Sequence, residues 1–290
     1  MTRSPDVAMG DAGISVVVGY RTSGASVVGV EALRFNTSDG SYLDATQLRP
    51  DNDDVTTHEA RVVFVRGLGG SGRFVAAVPQ HSRRLRFFVS ANAAGEGPWM
   101  AMAANANDGG MARVFDSFDF HCPRHQTPGA GDANCAIVLS PASAAMQNGG
   151  AQTCQLAFST TNVTVTQCRG PFTTQPFATP VALTDYGSGT PSSQRTATSW
   201  LMSLSRRSPD VSGGNSHLRV YSNDRTFPDT AIAVQDEYDL DVLGCSSFGL
   251  GDDAQSYFGG TSVDYCEFCD RIVRVGMGDL LTDPVGDKCF

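Results

Sequence analysis

The sequence predicts an all-β protein, an antiparallel sandwich or jelly-roll type fold with long loops and little helix. Short β-branched or alternating apolar runs recur along the 290 residues. Clusters of Gly, Asn, Asp, Ser and Pro, such as NTSDGS and TDYGSGTPSS, separate these runs, as is typical of β-sandwiches and barrels. Long alternation of strands with helices is absent, which argues against a doubly wound parallel sheet.

The strand predictions follow the alternation of apolar and polar residues along the chain. The alternation is clearest in DEYDLDVL, where Tyr238, Leu240 and Val242 face one way and the acidic residues face the other. The best helix candidate is Thr196–Arg206, TATSWLMSLSR. The predicted strands are Gly13–Tyr20, Ser26–Phe35, Arg61–Arg66, Arg73–Val78, Leu85–Ser90, Arg113–Phe120, Cys135–Leu139, Gln152–Ser159, Asn162–Cys168, Pro180–Leu183, Leu218–Ser222, Thr230–Val234, Tyr238–Leu243 and Arg271–Val275.

A glycine-rich stretch between two of these runs matches the dinucleotide fingerprint G-x-G-x-x-G at Gly67–Gly72. That fingerprint requires a helix after the glycines and an acidic residue about twenty positions further on. Here only RFVAAV follows before Pro79, and Asn92 stands where the acidic residue is expected. The stretch therefore predicts a hairpin turn between two strands.

Eight cysteines form four neighbouring pairs along the sequence, each closing a short loop. This spacing favours disulfides, with reduced thiols and a metal site as the alternatives. A Cys₄ zinc site at Cys245, Cys266, Cys269 and Cys289 is disfavoured, because the second CxxC of a zinc ribbon is missing. The disulfide candidates, pair by pair, are Cys122 and Cys135, Cys154 and Cys168, Cys245 and Cys266, and Cys269 and Cys289.

Acidic clusters are the remaining candidates for binding a ligand, since carboxylate oxygens suit Ca²⁺. None has the spacing of an EF-hand, so solvated loops and a solvated strand face are the favoured interpretation. The weak metal candidates are Asp51, Asp53, Asp54, Asp239, Asp241, Asp252 and Asp253. No residue is assigned a catalytic or cofactor-binding role, because no nucleophile elbow, catalytic triad spacing or metalloprotease pattern is present.

The charge balance bears on partners. The net charge is −9, with 30 acidic against 21 basic residues, so direct contact with nucleic acid is not expected. No apolar run approaches the ~18 residues of a membrane span. The N-terminal residues lack the continuous apolar segment of a secretory signal peptide. The expected location is a virion or the extracellular space.

These features favour a non-enzymatic structural protein, of the capsid, coat or surface-subunit kind, that associates with itself or with other subunits of a particle. The alternatives are an extracellular module that binds glycan or protein, with or without Ca²⁺, and a hydrolase on a β-scaffold. Residues 1–290 are expected to form a single large β-sandwich domain, and if the chain is subdivided the boundary is expected near 141–150 or 186–194. Arg3–Thr22 and Arg207–Thr226 share nine of twenty residues, which leaves duplication and coincidence both open.

Overall fold

The structure is a computed structural model that describes residues 5–23, 26–48, 60–79, 85–104, 115–122, 133–141, 152–169, 181–186, 199–206, 217–223, 233–239, 261–266 and 271–276. Within these ranges every element of regular structure is a β-strand, and the described strand pairings are antiparallel apart from the one between the strands at Ala103 and Asn162. The predicted class, all-β and antiparallel with little helix, is confirmed.

Nineteen strands are described, and most are four to nine residues long. They are β1 (Asp6–Met9), β2 (Ile14–Ser23), β3 (Ser26–Asn36), β4 (Tyr42–Leu48), β5 (Arg61–Val65), β6 (Arg73–Pro79), β7 (Leu85–Val89), β8 (Met100–Ala101), β9 (Ala103–Ala104), β10 (Phe115–His121), β11 (Ala133–Pro141), β12 (Gln152–Phe158), β13 (Asn162–Arg169), β14 (Val181–Tyr186), β15 (Ser199–Arg206), β16 (His217–Asn223), β17 (Ala233–Asp239), β18 (Thr261–Cys266) and β19 (Arg271–Gly276).

The strands pair mainly with their neighbours in sequence. Sheets β1–β4, β5–β8 and β14–β17 are each four-stranded, β18 pairs with β19, and β10–β13 form a sheet to which β9 adds in parallel beside β13. Consecutive four-stranded antiparallel sheets are the topology of β-propeller blades. A jelly roll is built from Greek keys, whose neighbouring strands are not all consecutive in sequence. The sandwich or jelly-roll detail of the prediction is therefore not confirmed.

The chain divides into two compact units. The first comprises Met1–Val114, Phe120–Ile137 and Cys154–Cys168, and it contains the sheets β1–β4 and β5–β8. The second comprises Phe115–Asp119, Val138–Thr153 and Arg169–Phe290, and it contains the sheets β14–β17 and β18–β19.

Strand alternation builds the main core of the first unit. In β2 the buried apolar side chains are Val16 and Val18, and in β3 they are Val30 and Ala32, so each strand turns every second side chain inward. These residues belong to one apolar cluster with side chains of the second sheet. The buried members are Val16, Val18, Val30, Ala32, Leu48, Ala60, Val62, Phe74, Ala76, Val78 and Phe88.

A second group of buried aromatic side chains lies in the same unit. Phe87, Phe120 and Phe158 contact one another, with ring centroids 5.5 to 6.4 Å apart. Edge-to-face and tilted contacts of this kind stabilise aromatic clusters beyond their buried area.

Some large apolar side chains of the first sheet are exposed to solvent. Val7 and Met9 are exposed on β1, and Tyr42 and Leu43 are exposed on β4. The rings of Phe35 and Tyr42 contact each other edge to face, with their centroids 5.7 Å apart. A register shift between Arg34 and Phe35 places Tyr42 across from Phe35.

The glycine-rich stretch is the predicted hairpin turn. It joins β5 to β6, which pair antiparallel from Arg61↔Ala77 to Val65↔Arg73. The helix prediction at Thr196–Arg206 is wrong, because Ser199–Arg206 is strand β15 and pairs with both β14 and β16.

The two similar segments occupy unlike places in their sheets. The strand of Arg3–Thr22 that follows its glycine is the second strand of its sheet, β2, whereas the matching strand of Arg207–Thr226 is the third, β16. Strand order therefore does not support the duplication of a whole sheet.

Candidate functional site

A buried arginine interrupts the apolar row of β3. Val30, Ala32 and Arg34 alternate along the inward face of this strand, and the Arg34 side chain is 11% exposed. A guanidinium cannot lose its charge in a protein, so its burial requires partners. The structure supplies them from β4 and from the loop between β7 and β8, residues 90–99.

Strand register places the first partner. Arg34 pairs with Asp44 across the β3–β4 ladder, so the two side chains project from the same face. Arg34 Nε donates to Asp44 Oδ1 at 2.7 Å, and Arg34 Nη2 donates to Asp44 Oδ2 at 2.5 Å. This two-point fork is the strongest geometry that an arginine and a carboxylate can form.

The β7–β8 loop supplies the remaining partners. Arg34 Nη1 donates to the carbonyl of Ala94 at 2.8 Å and lies 3.6 Å from Glu96 Oε1. Asn92 Nδ2 donates to Glu96 Oε2 at 2.7 Å. Asn92 Oδ1 accepts hydrogen bonds from the backbone N–H groups of Ala94, at 3.0 Å, and Glu96, at 3.3 Å. We call Arg34, Asp44, Asn92 and Glu96 the Arg34 cluster.

Close packing fixes the loop over the first sheet. A Cβ on Gly95 would lie 2.8 Å from Val16 Cγ2, and one on Gly97 would lie 2.8 Å from Thr46 Oγ1. Trp99 Nε1 donates to the Gly95 carbonyl at 3.1 Å. The position of Glu96 is therefore set by a tightly packed loop as well as by its hydrogen bonds.

The electrostatics of the cluster follow from these contacts. The hydrogen bond from Arg34 lowers the pKa of Asp44, and the charge of the guanidinium acts in the same direction. The same hydrogen bond raises the pKa of Arg34, against the effect of its burial. Asp44 is thus held as a carboxylate under mildly acidic conditions.

The cluster leaves acceptors, and few donors, available to a ligand. The guanidinium of Arg34 is buried and directs hydrogen bonds to Asp44 and Ala94. The side chains of Asp44 and Glu96 are 52% and 53% exposed. A carboxylate accepts hydrogen bonds at about four lone-pair positions, so both groups keep acceptor capacity facing solvent. Such a pair suits hydroxyl groups and developing positive charge.

Of the acidic residues predicted as weak metal candidates, only Asp239 lies within the described residues. Asp51, Asp53, Asp54, Asp241, Asp252 and Asp253 lie outside the described residues, and Asp239 ends β17, where the register places it opposite His217. Within the residues that the structure describes, no three His, Cys, Asp or Glu side chains group as metal ligands. The described residues test neither the weak calcium candidates, for which solvated loops and a solvated strand face are favoured, nor the disfavoured zinc site. Its ligands Cys245, Cys269 and Cys289 are not described, and Cys266 ends β18.

Two of the four neighbouring cysteine pairs are disulfides in the structure. Cys122 bonds to Cys135, and Cys154 bonds to Cys168. Each bridge links neighbouring strands of the β9–β13 sheet, or the residue that directly follows such a strand. The second bridge closes β12 onto β13, and the sequence separations of 13 and 14 residues suit a stabilising cross-link.

No local pattern in the sequence predicts the Arg34 cluster. Its residues lie up to 62 positions apart, between Arg34 and Glu96, and match no short motif. One signal was available, because Val30, Ala32 and Arg34 put a charge on an otherwise apolar strand face. A charge at such a position requires a buried partner.

The fold resembles that of one solved α-L-arabinanase. The α-L-arabinanase of Penicillium chrysogenum, solved with arabinobiose, matches with a TM-score of 0.52 and 10% identity over 81% of this chain and 66% of that one. The GH93 α-L-arabinofuranosidase of Fusarium graminearum, also with arabinobiose, matches with a TM-score of 0.37 and 8% identity over 81% and 80%. This chain spans slightly less than two thirds of the arabinanase. No protein-family model and no curated protein matches the sequence.

This similarity overturns the predicted function. The prediction of a non-enzymatic capsid, coat or surface subunit is wrong, since the fold is shared with an arabinanase. Short strands and polar turns occur in jelly rolls and in propeller blades alike, and the sequence pattern does not reveal which strands pair. At 10% identity the similarity is one of fold.

Within the described residues no helix is long and apolar enough to cross a membrane.

Proposed function

We propose that this protein is a glycoside hydrolase and that the carboxylates of the Arg34 cluster contact the sugar. The observation that carries the proposal is the match to the arabinanase fold, at a TM-score of 0.52 over 81% of this chain. The class of substrate proposed is an α-L-arabinofuranosyl saccharide such as arabinobiose, the sugar present in that structure.

The chemistry of the proposed reaction matches what the cluster supplies. In glycoside hydrolysis the bond between the anomeric carbon and the leaving oxygen breaks, and water adds its oxygen to that carbon and a proton to the leaving oxygen. The transition state carries positive charge at the anomeric carbon, and a pair of carboxylates usually flanks it. Asp44, held ionised by Arg34, is suited to stabilise that charge.

The second carboxylate is suited to orient the sugar. Glu96 is half exposed and held by Asn92. It retains acceptor positions for sugar hydroxyls, and such hydrogen bonds strengthen binding when the acceptor is charged.

The disulfides support a proposal about where the protein acts. Bridges such as Cys122–Cys135 and Cys154–Cys168 persist in oxidising surroundings and are rare in a reducing cytosol. We therefore propose an extracellular or periplasmic setting, where polymeric glycans are accessible. Self-association stays a prediction, and light scattering of the purified protein tests it.

The test is product analysis on defined sugars. The purified protein is incubated with arabinobiose, linear arabinan and an unrelated panel of cellobiose, xylobiose and maltose, and released monosaccharides are quantified by chromatography. We expect release of arabinose, and a strong reduction in the double variant Asp44→Asn/Glu96→Gln. Absence of hydrolysis throughout would reject the proposed activity, and full activity of the double variant would reject the proposed site.

A further inference from the structure

Asn92 binds both the backbone of the β7–β8 loop and a carboxylate of the Arg34 cluster. It makes both kinds of hydrogen bond, since its Oδ1 accepts from the backbone of Ala94 and Glu96 while its Nδ2 donates to the Glu96 carboxylate. The two bonds that Oδ1 accepts hold the backbone of the loop, and the bond that Nδ2 donates orients the Glu96 side chain. One residue thus links the fold of the β7–β8 loop to the direction of a carboxylate.

The path of the loop is fixed without that donor bond. Ala91 N–H donates to the Glu96 carbonyl at 2.9 Å, and Gly95 N–H donates to the Asn92 carbonyl at 3.1 Å. Ser90 Oγ accepts from the backbone of Phe74 and donates to the Asn92 carbonyl. These bonds involve only backbone atoms and Ser90, so the path of the loop does not depend on Asn92 Nδ2.

The direction of the Glu96 side chain does depend on it. Glu96 is half exposed, and its distance of 3.6 Å from Arg34 is longer than a hydrogen bond. The bond from Asn92 Nδ2, at 2.7 Å, is the shorter of these two contacts. Without that bond the Glu96 carboxylate keeps only the longer ion pair with Arg34, so this half-exposed side chain is held less firmly in one direction.

We propose that Asn92 is a positioning residue, which holds the Glu96 carboxylate beside Arg34 and Asp44 in the orientation that the sugar requires. This inference rests on the proposed function, because it assigns Asn92 a role in the same site. Asn92 acts through Glu96 and does not itself contact the reacting atoms.

Aspartate is the informative substitution at this position. In Asn92→Asp the Oδ1 acceptor for the Ala94 and Glu96 N–H groups remains, so the loop keeps its shape. The donor to Glu96 is replaced by a second carboxylate, and two carboxylates in hydrogen-bond contact repel unless they share a proton. Asn92→Ala removes both functions and serves as the comparison for a structural role.

The pH dependence of activity separates positioning from structure. The charged groups that face this contact are Arg34 on β3, Asp44 on β4 and Glu96 in the loop. We expect Asn92→Asp to lower kcat/KM about 10- to 100-fold near neutral pH, as a displaced group typically does. At lower pH the introduced carboxylate and that of Glu96 bind one proton between them, the hydrogen bond forms again, and the deficit shrinks. A structural defect would give a deficit that does not shrink in acid.

The experiment measures kcat/KM against pH for wild type, Asn92→Asp and Asn92→Ala, with thermal melting of each. The expected result, for Asn92→Asp only, is an acid-shifted profile and a melting temperature equal to that of the wild type at the acid pH where the two carboxylates share a proton. Wild-type activity at neutral pH in Asn92→Asp, or a pH-independent deficit, would overturn the proposal.

A readout independent of catalysis keeps the two proposals apart. The NMR titration of the Glu96 carboxyl carbon is recorded in the wild type and in Asn92→Asp. We expect the midpoint for Glu96 to rise in the variant, because the two carboxylates compete for one proton. An unchanged midpoint rejects the contact with Asn92 even if the protein cleaves no sugar. A raised midpoint without any hydrolysis retains the contact and rejects the proposed function.

Discussion

The Arg34 guanidinium holds the Asp44 carboxylate by two hydrogen bonds, from Nε to Oδ1 at 2.7 Å and from Nη2 to Oδ2 at 2.5 Å. The Arg34 side chain is 11% exposed, whereas that of Asp44 is 52% exposed. The pair therefore joins a buried charge to a solvent-facing one. We therefore expect the Asp44 carboxylate to affect the free energy of unfolding and its pH dependence.

Removing the charge of Asp44 is expected to destabilise the fold. Asp44→Asn leaves the buried guanidinium with only the longer ion pair to Glu96, and we expect a loss of about 1–2 kcal/mol, reduced from the buried-pair range because Asp44 is half exposed. Urea unfolding gives the value. The matched control is Asp11→Asn, which breaks the exposed 2.9 Å pair with Arg66 and is expected to cost at most about 0.5 kcal/mol. Equal effects would show that burial of Arg34 is irrelevant.

The same pair predicts a pH dependence of stability. The pKa of Asp44 is lower in the folded than in the unfolded protein, so its contribution is complete above the unfolded value of about 3.9 and is lost as the pH falls through the folded value. The gap in unfolding free energy between wild type and Asp44→Asn is therefore expected to narrow below pH ~4. Urea midpoints from about pH 2.5 to about pH 6, a range that brackets this value, test this, and a constant gap would contradict it.

Alanine substitutions at Gly95 and Gly40 distinguish the cost of backbone strain from the cost of a steric clash. Both have φ near +70°, but a Cβ on Gly95 would lie 2.8 Å from Val16 Cγ2, whereas Gly40 has nothing within 4 Å. We expect Gly40→Ala to cost about 1 kcal/mol from conformation alone. Gly95→Ala should cost about 2–4 kcal/mol, since overpacking is added. Thermal or urea unfolding measures both, and similar losses would mean that the loop moves freely from Val16.

Buried and exposed valines of the first sheet are expected to differ in their sensitivity. Val16 is 0% exposed and Val7 is 59% exposed, on adjacent strands. Val16→Ala should lower the free energy of unfolding by about 2 kcal/mol through the lost contacts. Val7→Ala should change it by less than about 0.5 kcal/mol. A large effect at Val7 would show that this side chain is covered in solution.

Local patterns in the sequence predict the strands well where one face is buried. Val16 with Val18 and Val30 with Ala32 alternate as strands do, and the glycines between β5 and β6 mark their turn. In the segment wrongly predicted as a helix, apolar residues satisfy a helical period and a strand period at once. Pairing with β14 and β16 decides between the two, and the sequence alone does not contain that information.

The order of the strands and the site are set by contacts distant in sequence. Arg34 meets Asp44 through strand register, and it meets Glu96 because the β7–β8 loop returns over the first sheet. No short sequence motif predicts either of these two contacts. The sandwich prediction is not confirmed for the same reason. Alternation of apolar and polar residues predicts where strands lie, but not which strands pair with each other.

The most direct test of the proposed function is the rate of arabinobiose hydrolysis by wild type, Glu96→Gln and Asp11→Asn. Glu96→Gln keeps the size of the side chain and removes its charge, whereas Asp11→Asn removes a charge outside the cluster. We expect hydrolysis by the wild type, a fall of kcat/KM by about 100-fold or more in Glu96→Gln, and no change in Asp11→Asn. A wild-type protein that leaves arabinobiose intact, or a Glu96→Gln variant as active as Asp11→Asn, would contradict the account.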